Sequence, residues 1–226
     1  MSEELRSIGL RMGGVAHGFA PPGAEIARGF HLVRAKQVHG TALAWVDEHT
    51  GSPAGELDAL ATDRPGVAVA IATADCIPML VAAPGGRAVA AVHAGWRGLL
   101  AGIVGASALE VARRTSVSPA DLRVALGPSI DGCCFEVERE IAVQFADRFG
   151  EQVWQAWRDG GSDRAPGKGT LDLRRVARMV LQGAGVADEA IEYVGPCTFC
   201  GDAGFASYRR DGANAGRQFG WIAIEA

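Results

Sequence analysis

Three short apolar runs crowd the middle of the chain, at 67–72, 79–82 and 88–93 of "GVAVAIATADCIPMLVAAPGGRAVAAVHAGW" (66–96). Each is too short for an independent helix and none alternates with polar positions. They therefore read as strands of a sheet covered on both faces. The "APGG" between the second and third is a hairpin-turn signal. Upstream, "LVRAKQVHGTALAWVDE" (32–48) reads as two β-type stretches with a turn near Gly40. The segment before it, "GFAPPGAEIARGFH" (18–31), shows no period and reads as a loop or short crossover.

Downstream the apolar spacing lengthens to that of helices. A helix is expected over 98–114, with Leu99, Ile103, Ala106, Leu109 and Val111 on one face. "SVSPADL" carries a second helix-start signal, with Ser118 as cap and Pro119 at the first position. "LRVALGPSI" (122–130) reads as a strand ending in a Gly-Pro loop. "EVEREIAVQFADRFG" (136–150) places Val137, Ile141, Phe145 and Phe149 four apart, and Gly150 is its natural stop. After a surface loop at 160–169, Leu173, Val176, Val180 and Leu181 mark the stripe of a helix over 171–185. The tail holds two strand-like pieces, "IEYVG" and "FGWIAIEA", around a polar loop rich in arginine. Mixed strands with segregated helices point to an α+β fold.

Length and charge narrow the function classes. At 226 residues the chain suits one domain, and a chain of this size hides roughly 70–75% of its unfolded surface. A net charge of −4 argues against a general nucleic-acid binder, yet leaves room for a small anion held by a few arginines. The N-terminus lacks the apolar core of a signal peptide, and no run approaches the about 18 apolar residues of a membrane span. Five cysteines with no regular framework suggest a cytoplasmic chain with reduced thiols.

Three residues stand at the ends of apolar runs beside small or turn-forming neighbours: His39 in "KQVHG", Cys76 in "TADCIP" and His93 in "AVHAGWRG". Two imidazoles and a thiolate suit zinc, leaving a fourth position open for water or substrate. The same residues also fit a nucleophilic Cys76 with a histidine base and Asp75 orienting it, or a pair of core histidines near a buried thiol. His17, His31 and His49 read as surface or loop residues. Cys133, Cys134, Cys197 and Cys200 could form a second metal site or a redox pair. Adjacent cysteines chelate one ion poorly, which favours free thiols. For anions, Arg97 sits at a strand-to-helix junction four residues after His93. Ser207, Arg209, Arg210 and Arg217 share one polar loop.

"KQVHG", "TADCIPMLV", "AVHAGWRGLLAGI", "LGPSIDGCCFEV" and "SYRRDG" followed by "GR" together resemble a family labelled multicopper polyphenol oxidase or laccase-like. That family is also described as zinc-dependent purine nucleoside phosphorylases with adenosine deaminase activity. The resemblance implies a single domain of mixed β-sheets flanked by helices. It implies zinc held by His39, Cys76 and His93, and substrates that are purine nucleosides (adenosine, inosine, methylthioadenosine) and phosphate, with neither nucleic acid nor membrane as partner. In that frame Arg97, Ser207, Arg209 and Arg210 would contact substrate or phosphate. Asp75 would serve as proton donor or hold a histidine N–H. The alternatives are a copper polyphenol oxidase, a metal-free Cys–His hydrolase and a non-enzymatic partner-binding protein. The first is opposed by the lack of several His-x-His motifs. Gly95 and Gly98 would let the backbone turn tightly, with Trp96 as packing. Between about 20 and 31 the chain is too short to hold the arginine, the Gly-Gly-Val segment and the Asn-Arg pair usual in the family. This departure bears on phosphate and ribose contacts rather than on zinc.

Overall fold

The central strands of the larger sheet are almost wholly apolar because a second sheet buries them from one side and helices from the other. The structure, a computed structural model, describes residues 4–160, 167–201 and 204–226. The larger sheet contains β3 (Leu43–Trp45), β4 (Ala59–Thr62), β6 (Ile77–Ala82), β7 (Val89–Ala94), β8 (Arg123–Leu126) and β12 (Ile191–Tyr193). Its order is β12-β8-β6-β7-β4-β3, antiparallel in the middle and parallel at both edge pairs. The second sheet has the order β1-β13-β5-β2, from β1 (Val15–Ala20), β2 (His31–Val33), β5 (Val67–Thr73) and β13 (Gln218–Ile224). A small third sheet joins β9 (Glu136–Glu138), β10 (Trp157–Asp159) and β11 (Lys168–Leu171).

Strand periodicity divides the core between these layers. Ile77, Met79 and Val81 of β6, with Ala90, Val92 and Ala94 of β7, face α2 (Ile103–Thr115) and α4 (Leu173–Gly183). Leu80, Ala82, Val89 and Ala91 point the other way, onto Phe19, Val69, Ile71 and Ile222 of the second sheet. The outer face of that sheet, Ala68, Ala70, Trp221 and Ala223, is covered by Ala27 with Ile26 and Phe30. The expected α+β architecture of mixed sheets flanked by helices is therefore present, and the "APGG" hairpin pairs Ala82 with Val89.

Several elements differ from their sequence patterns. The helix expected over 98–114 is two, α1 (Trp96–Ala101) and α2, broken at Gly102, whose φ of 101° is readily adopted only by glycine. Leu109 is 46% exposed, and Ile103, Val104, Ala108 and Val111 form the buried face instead. "SVSPADL" makes only a 3-10 turn, Pro119–Asp121, with Ser118 accepting from the Ala120 N–H. The helix expected from 136 begins at Arg139 as α3 (Arg139–Phe149), because residues 136–138 pair with β11, and Gly150 ends it as expected. Residues 18–20 are strand rather than loop: pairing with β13 overrides local Gly and Pro content, and the Phe19 ring packs on Gly127, where an added Cβ would lie 2.2 Å away. Of the loop expected at 160–169, residues 161–166 lie outside the described residues, while Lys168 and Gly169 open β11. His17 is buried rather than superficial, within 3.1 Å of the Ser7 N–H. Among the described residues no helix is long and apolar enough to cross a membrane.

Glu192 anchors the N-terminal segment to β12. Its carboxylate accepts from Ser7 Oγ at 2.6 Å, from the Ile8 N–H at 3.2 Å and from the Gly9 N–H at 2.9 Å. Burial raises its pKa, but the three donors outweigh burial and leave it below the ordinary value. A depressed folded pKa stabilises above the unfolded value of about 4.3, and that stabilisation is lost as pH falls through the folded one. Glu192→Ala should cost about 2 kcal/mol at neutral pH. Urea unfolding of the two proteins across pH should show the gap narrowing below about pH 4.

Candidate functional site

The site is organised around Asp58, which lies at the head of β4 and is fully buried. Its carboxylate accepts the N–H groups of Val38, His39 and Gly40 at 3.2, 2.9 and 2.7 Å. It also takes the Nδ1 proton of His93 at 2.8 Å, and its backbone carbonyl accepts the His93 N–H at 2.7 Å. One side chain thus sets both the loop that carries His39, whose φ is 60°, and the ring orientation of His93, leaving Nε2 free to ligate. Cys76 immediately precedes β6, across the hairpin from Gly95. A Cβ on Gly95 would fall 2.9 Å from His39 Cδ2 and 3.1 Å from Cys76 Sγ, and one on Gly98 would fall 3.0 Å from the Gly40 carbonyl. Gly95 is extended, so both glycines are needed for close approach rather than for a tight turn.

His39, Cys76 and His93 meet as the sequence suggested, with their donor atoms all within 4.8 Å and His39 Nε2 4.0 Å from Cys76 Sγ. A tetrahedral zinc with typical bond lengths has an N–S edge of about 3.6 Å, so the three donors fit one ion after a small contraction. Burial pushes the Cys76 thiol up, but hydrogen bonds and charge from His39 and His93 overcome it and bring the pKa down to about 7. Burial lowers His93, yet Asp58 and Cys76 raise it to about 9. Burial likewise opposes ionisation of Asp58, but His93 and the loop N–H groups hold its pKa below the ordinary value. Sequence reasoning did not single out Asp58; the signal that could have marked it is an acid at the head of the apolar run "ALA", where only a fully bonded carboxylate survives burial.

The three donors open onto a cavity of about 550 Å³, within the about 300–1,000 Å³ usual for small-molecule sites. Gln37, Thr73, Asp75, Phe135, Tyr208, Arg209 and Arg217 contribute to its lining. Thr73 Oγ1 is buried there without a hydrogen-bond partner. Asp75, with φ of 84°, accepts from Thr198 Oγ1 at 2.6 Å and from the Arg209 N–H at 2.7 Å. It holds neither histidine, and the orienting carboxylate is Asp58. Arg209 reaches the cavity with its guanidinium over the Phe135 ring, 5.5 Å from the centroid. Arg97 is not part of the lining: it is exposed on α1, stacked 4.3 Å over Trp96. Ser207 is buried and caps α5 (Tyr208–Asp211) by accepting from the Arg210 N–H. The Arg210 guanidinium is taken up by the carbonyls of Thr198, Phe199 and Phe205 and by Asp211. Both therefore brace the loop rather than face the cavity. Cys133, Cys134, Cys197 and Cys200 form a second group within 4.8 Å, also able to hold a metal.

Asp58→Asn should weaken metal binding at His39, Cys76 and His93 by about 10–100-fold, read by competition with a chelator on protein whose fold is checked by circular dichroism. Unchanged affinity would mean that Asp58 does not set the ligand geometry.

The chain resembles known proteins in sequence and in fold. "Purine nucleoside phosphorylase YlmD" of Geobacillus stearothermophilus is 36% identical over 166 residues, covering 74% of this chain and 59% of the relative. The chain thus spans about three-fifths of that relative's length. "Purine nucleoside phosphorylase" of Deinococcus radiodurans is 38% identical over 195 residues, covering 85% of this chain and 70% of the relative. The crystal structure of Geobacillus stearothermophilus YlmD superposes with a TM-score of 0.86 at 27% identity, covering 100% of this chain and 98% of that one. The Bacillus licheniformis hypothetical protein YfiH superposes at 0.82 and 26% identity, covering 93% of each chain. The family described as "Multi-copper polyphenol oxidoreductase laccase" matches residues 24–225, and the chain belongs to that family.

Proposed function

We propose that the chain is a zinc-dependent purine nucleoside phosphorylase that also deaminates adenosine. The observation that carries this reading is the His39–Cys76–His93 group opening onto a cavity with two arginines and two aromatic rings. The names of its relatives support the phosphorylase part of this reading. Zinc held there would supply a Lewis acid and a water of lowered pKa. Phe135 and the exposed Tyr208 offer faces for a purine. Arg209 and Arg217 supply the positive charge for phosphate, which in turn stabilises the cationic ribose of the transition state. Arg97 would join them only by leaving Trp96. Asp75 handles the proton for the leaving base, and its bond to the Arg209 N–H fixes it beside the anion site.

A multicopper oxidase fits poorly. The chain has five histidines, and only His39 and His93 meet. His17 is buried against Ser7, His31 bonds the Thr50 carbonyl at 3.0 Å and His49 lies beside Glu48. A metal-free Cys–His hydrolase has one observation in its favour, the Asp58–His93–Cys76 relay, which has the form of a nucleophile, base and orienting acid.

Incubation with adenosine and phosphate separates these readings. Phosphorolysis yields adenine and ribose 1-phosphate, and deamination yields inosine. Cys76→Ala should remove one equivalent of zinc and lower kcat/KM by at least about 100-fold, and a chelator should abolish both reactions. Full activity after chelation would favour the hydrolase. Arg209→Ala should raise the KM for phosphate more than it impairs deamination; equal loss of both would count against its phosphate role.

A further inference from the structure

The second cysteine group is built by the edge of the large sheet. β12 pairs in parallel with β8, and the pairing resumes beyond both strands as a bridge between Ser129 and Cys197. The two segments leave the sheet side by side, which brings Cys133 and Cys134 against Cys197 and Cys200. In the first turn the N–H groups of Cys134 and Phe135 both bond the Asp131 carbonyl at 2.9 Å, and both neighbouring thiols reach the group. Cys133 Sγ lies 3.7 Å from Cys200 Sγ. A tetrahedral zinc with Zn–S bonds of about 2.3 Å has S–S edges of about 3.8 Å, whereas a disulfide requires about 2.05 Å.

Hydrogen-bond donors gather around the sulfur of Cys197. Cys197 Sγ accepts the Asp131 N–H at 3.4 Å, one of the backbone donors that lower its pKa against the opposing effect of burial. Such donors around a ligating sulfur fix its orientation and spread its charge. The loop "CTFCG" closes tightly, with the Gly201 N–H bonding the Cys197 carbonyl at 2.9 Å, where an added Cβ would lie 2.5 Å from that oxygen. The Arg210 guanidinium bonds the Thr198 and Phe199 carbonyls inside this loop and brings positive charge toward the thiolates.

We infer that Cys133, Cys134, Cys197 and Cys200 form a second zinc site, closed and structural, that clamps one wall of the cavity. Four protein thiolates leave no open position, so this ion takes no part in chemistry. Its effect passes through the residues between and beside the ligands. Thr198 holds Asp75, and Phe135, directly after Cys134, lines the cavity beneath Arg209. The inference does not rest on the nucleoside reading, since a metal count tests it without any substrate.

Native mass spectrometry of the full chain, purified and kept reduced, should show two zinc ions. Cys76→Ala should keep one, and cobalt exchanged into it should give the strong sulfur-to-metal charge-transfer absorption of four thiolates. Cys200→Ser, at an exposed position, should keep the other ion and show faster amide exchange over 131–135 and 196–201. Wild-type protein that binds no zinc, or whose cobalt form lacks the four-thiolate absorption, would overturn the proposal, and needs no variant to fold. So would a Cys200→Ser protein that keeps both ions, or a Cys133–Cys200 disulfide in the metal-loaded chain.

Discussion

A carboxylate sealed from water is tolerated only when its charge is fully met, and Asp58 meets that condition with three backbone donors and one imidazole. The rest of the centre depends on that arrangement. The loop at 38–40 is bent into place by the same oxygens that orient His93, so two ligands distant in sequence are set by one group. The pairing also polarises the centre: His93 gains basicity from Asp58 and lends its charge to the Cys76 thiol. Gly95 and Gly98 then allow α1 to approach until no side chain separates it from the ligands.

The cavity lies where the chain passes from one sheet to the other. β5 belongs to the second sheet and β6 to the large one, and residues 74–76 make the crossing. Asp75 sits in that crossing with a positive φ, a conformation a non-glycine residue keeps only when its surroundings enforce it. Thr198 and the Arg209 backbone enforce it here. The site is therefore held by rigid strands on one side and by the loop of the second cysteine group on the other.

Local sequence patterns identified positive charge without locating it. Arg97 follows "HAGW" at a helix start, a setting that suits an anion, yet its guanidinium rests on Trp96 away from the cavity. Arg210 lies in a basic loop but is consumed by three carbonyls and Asp211, while its neighbour Arg209 faces the opening. One residue along a short helix turns a side chain by about 100°, which a basic run in the sequence does not reveal.

The uninterrupted apolar runs determined by themselves that the central strands would be covered on both faces, because such strands lose free energy if either face meets water. They also marked Cys76 and His93, at run ends, as residues where chemistry could sit, with His39 added from "KQVHG". Only the tertiary structure decided that Asp58 would orient them, that Asp75 would face Thr198 instead of a histidine, and that four cysteines would gather at one sheet edge. Hydrophobic periodicity reports which face of an element is buried. Partners of buried charges and the meeting of distant thiols are set by strand pairing across long stretches of chain, for which local spacing carries no signal.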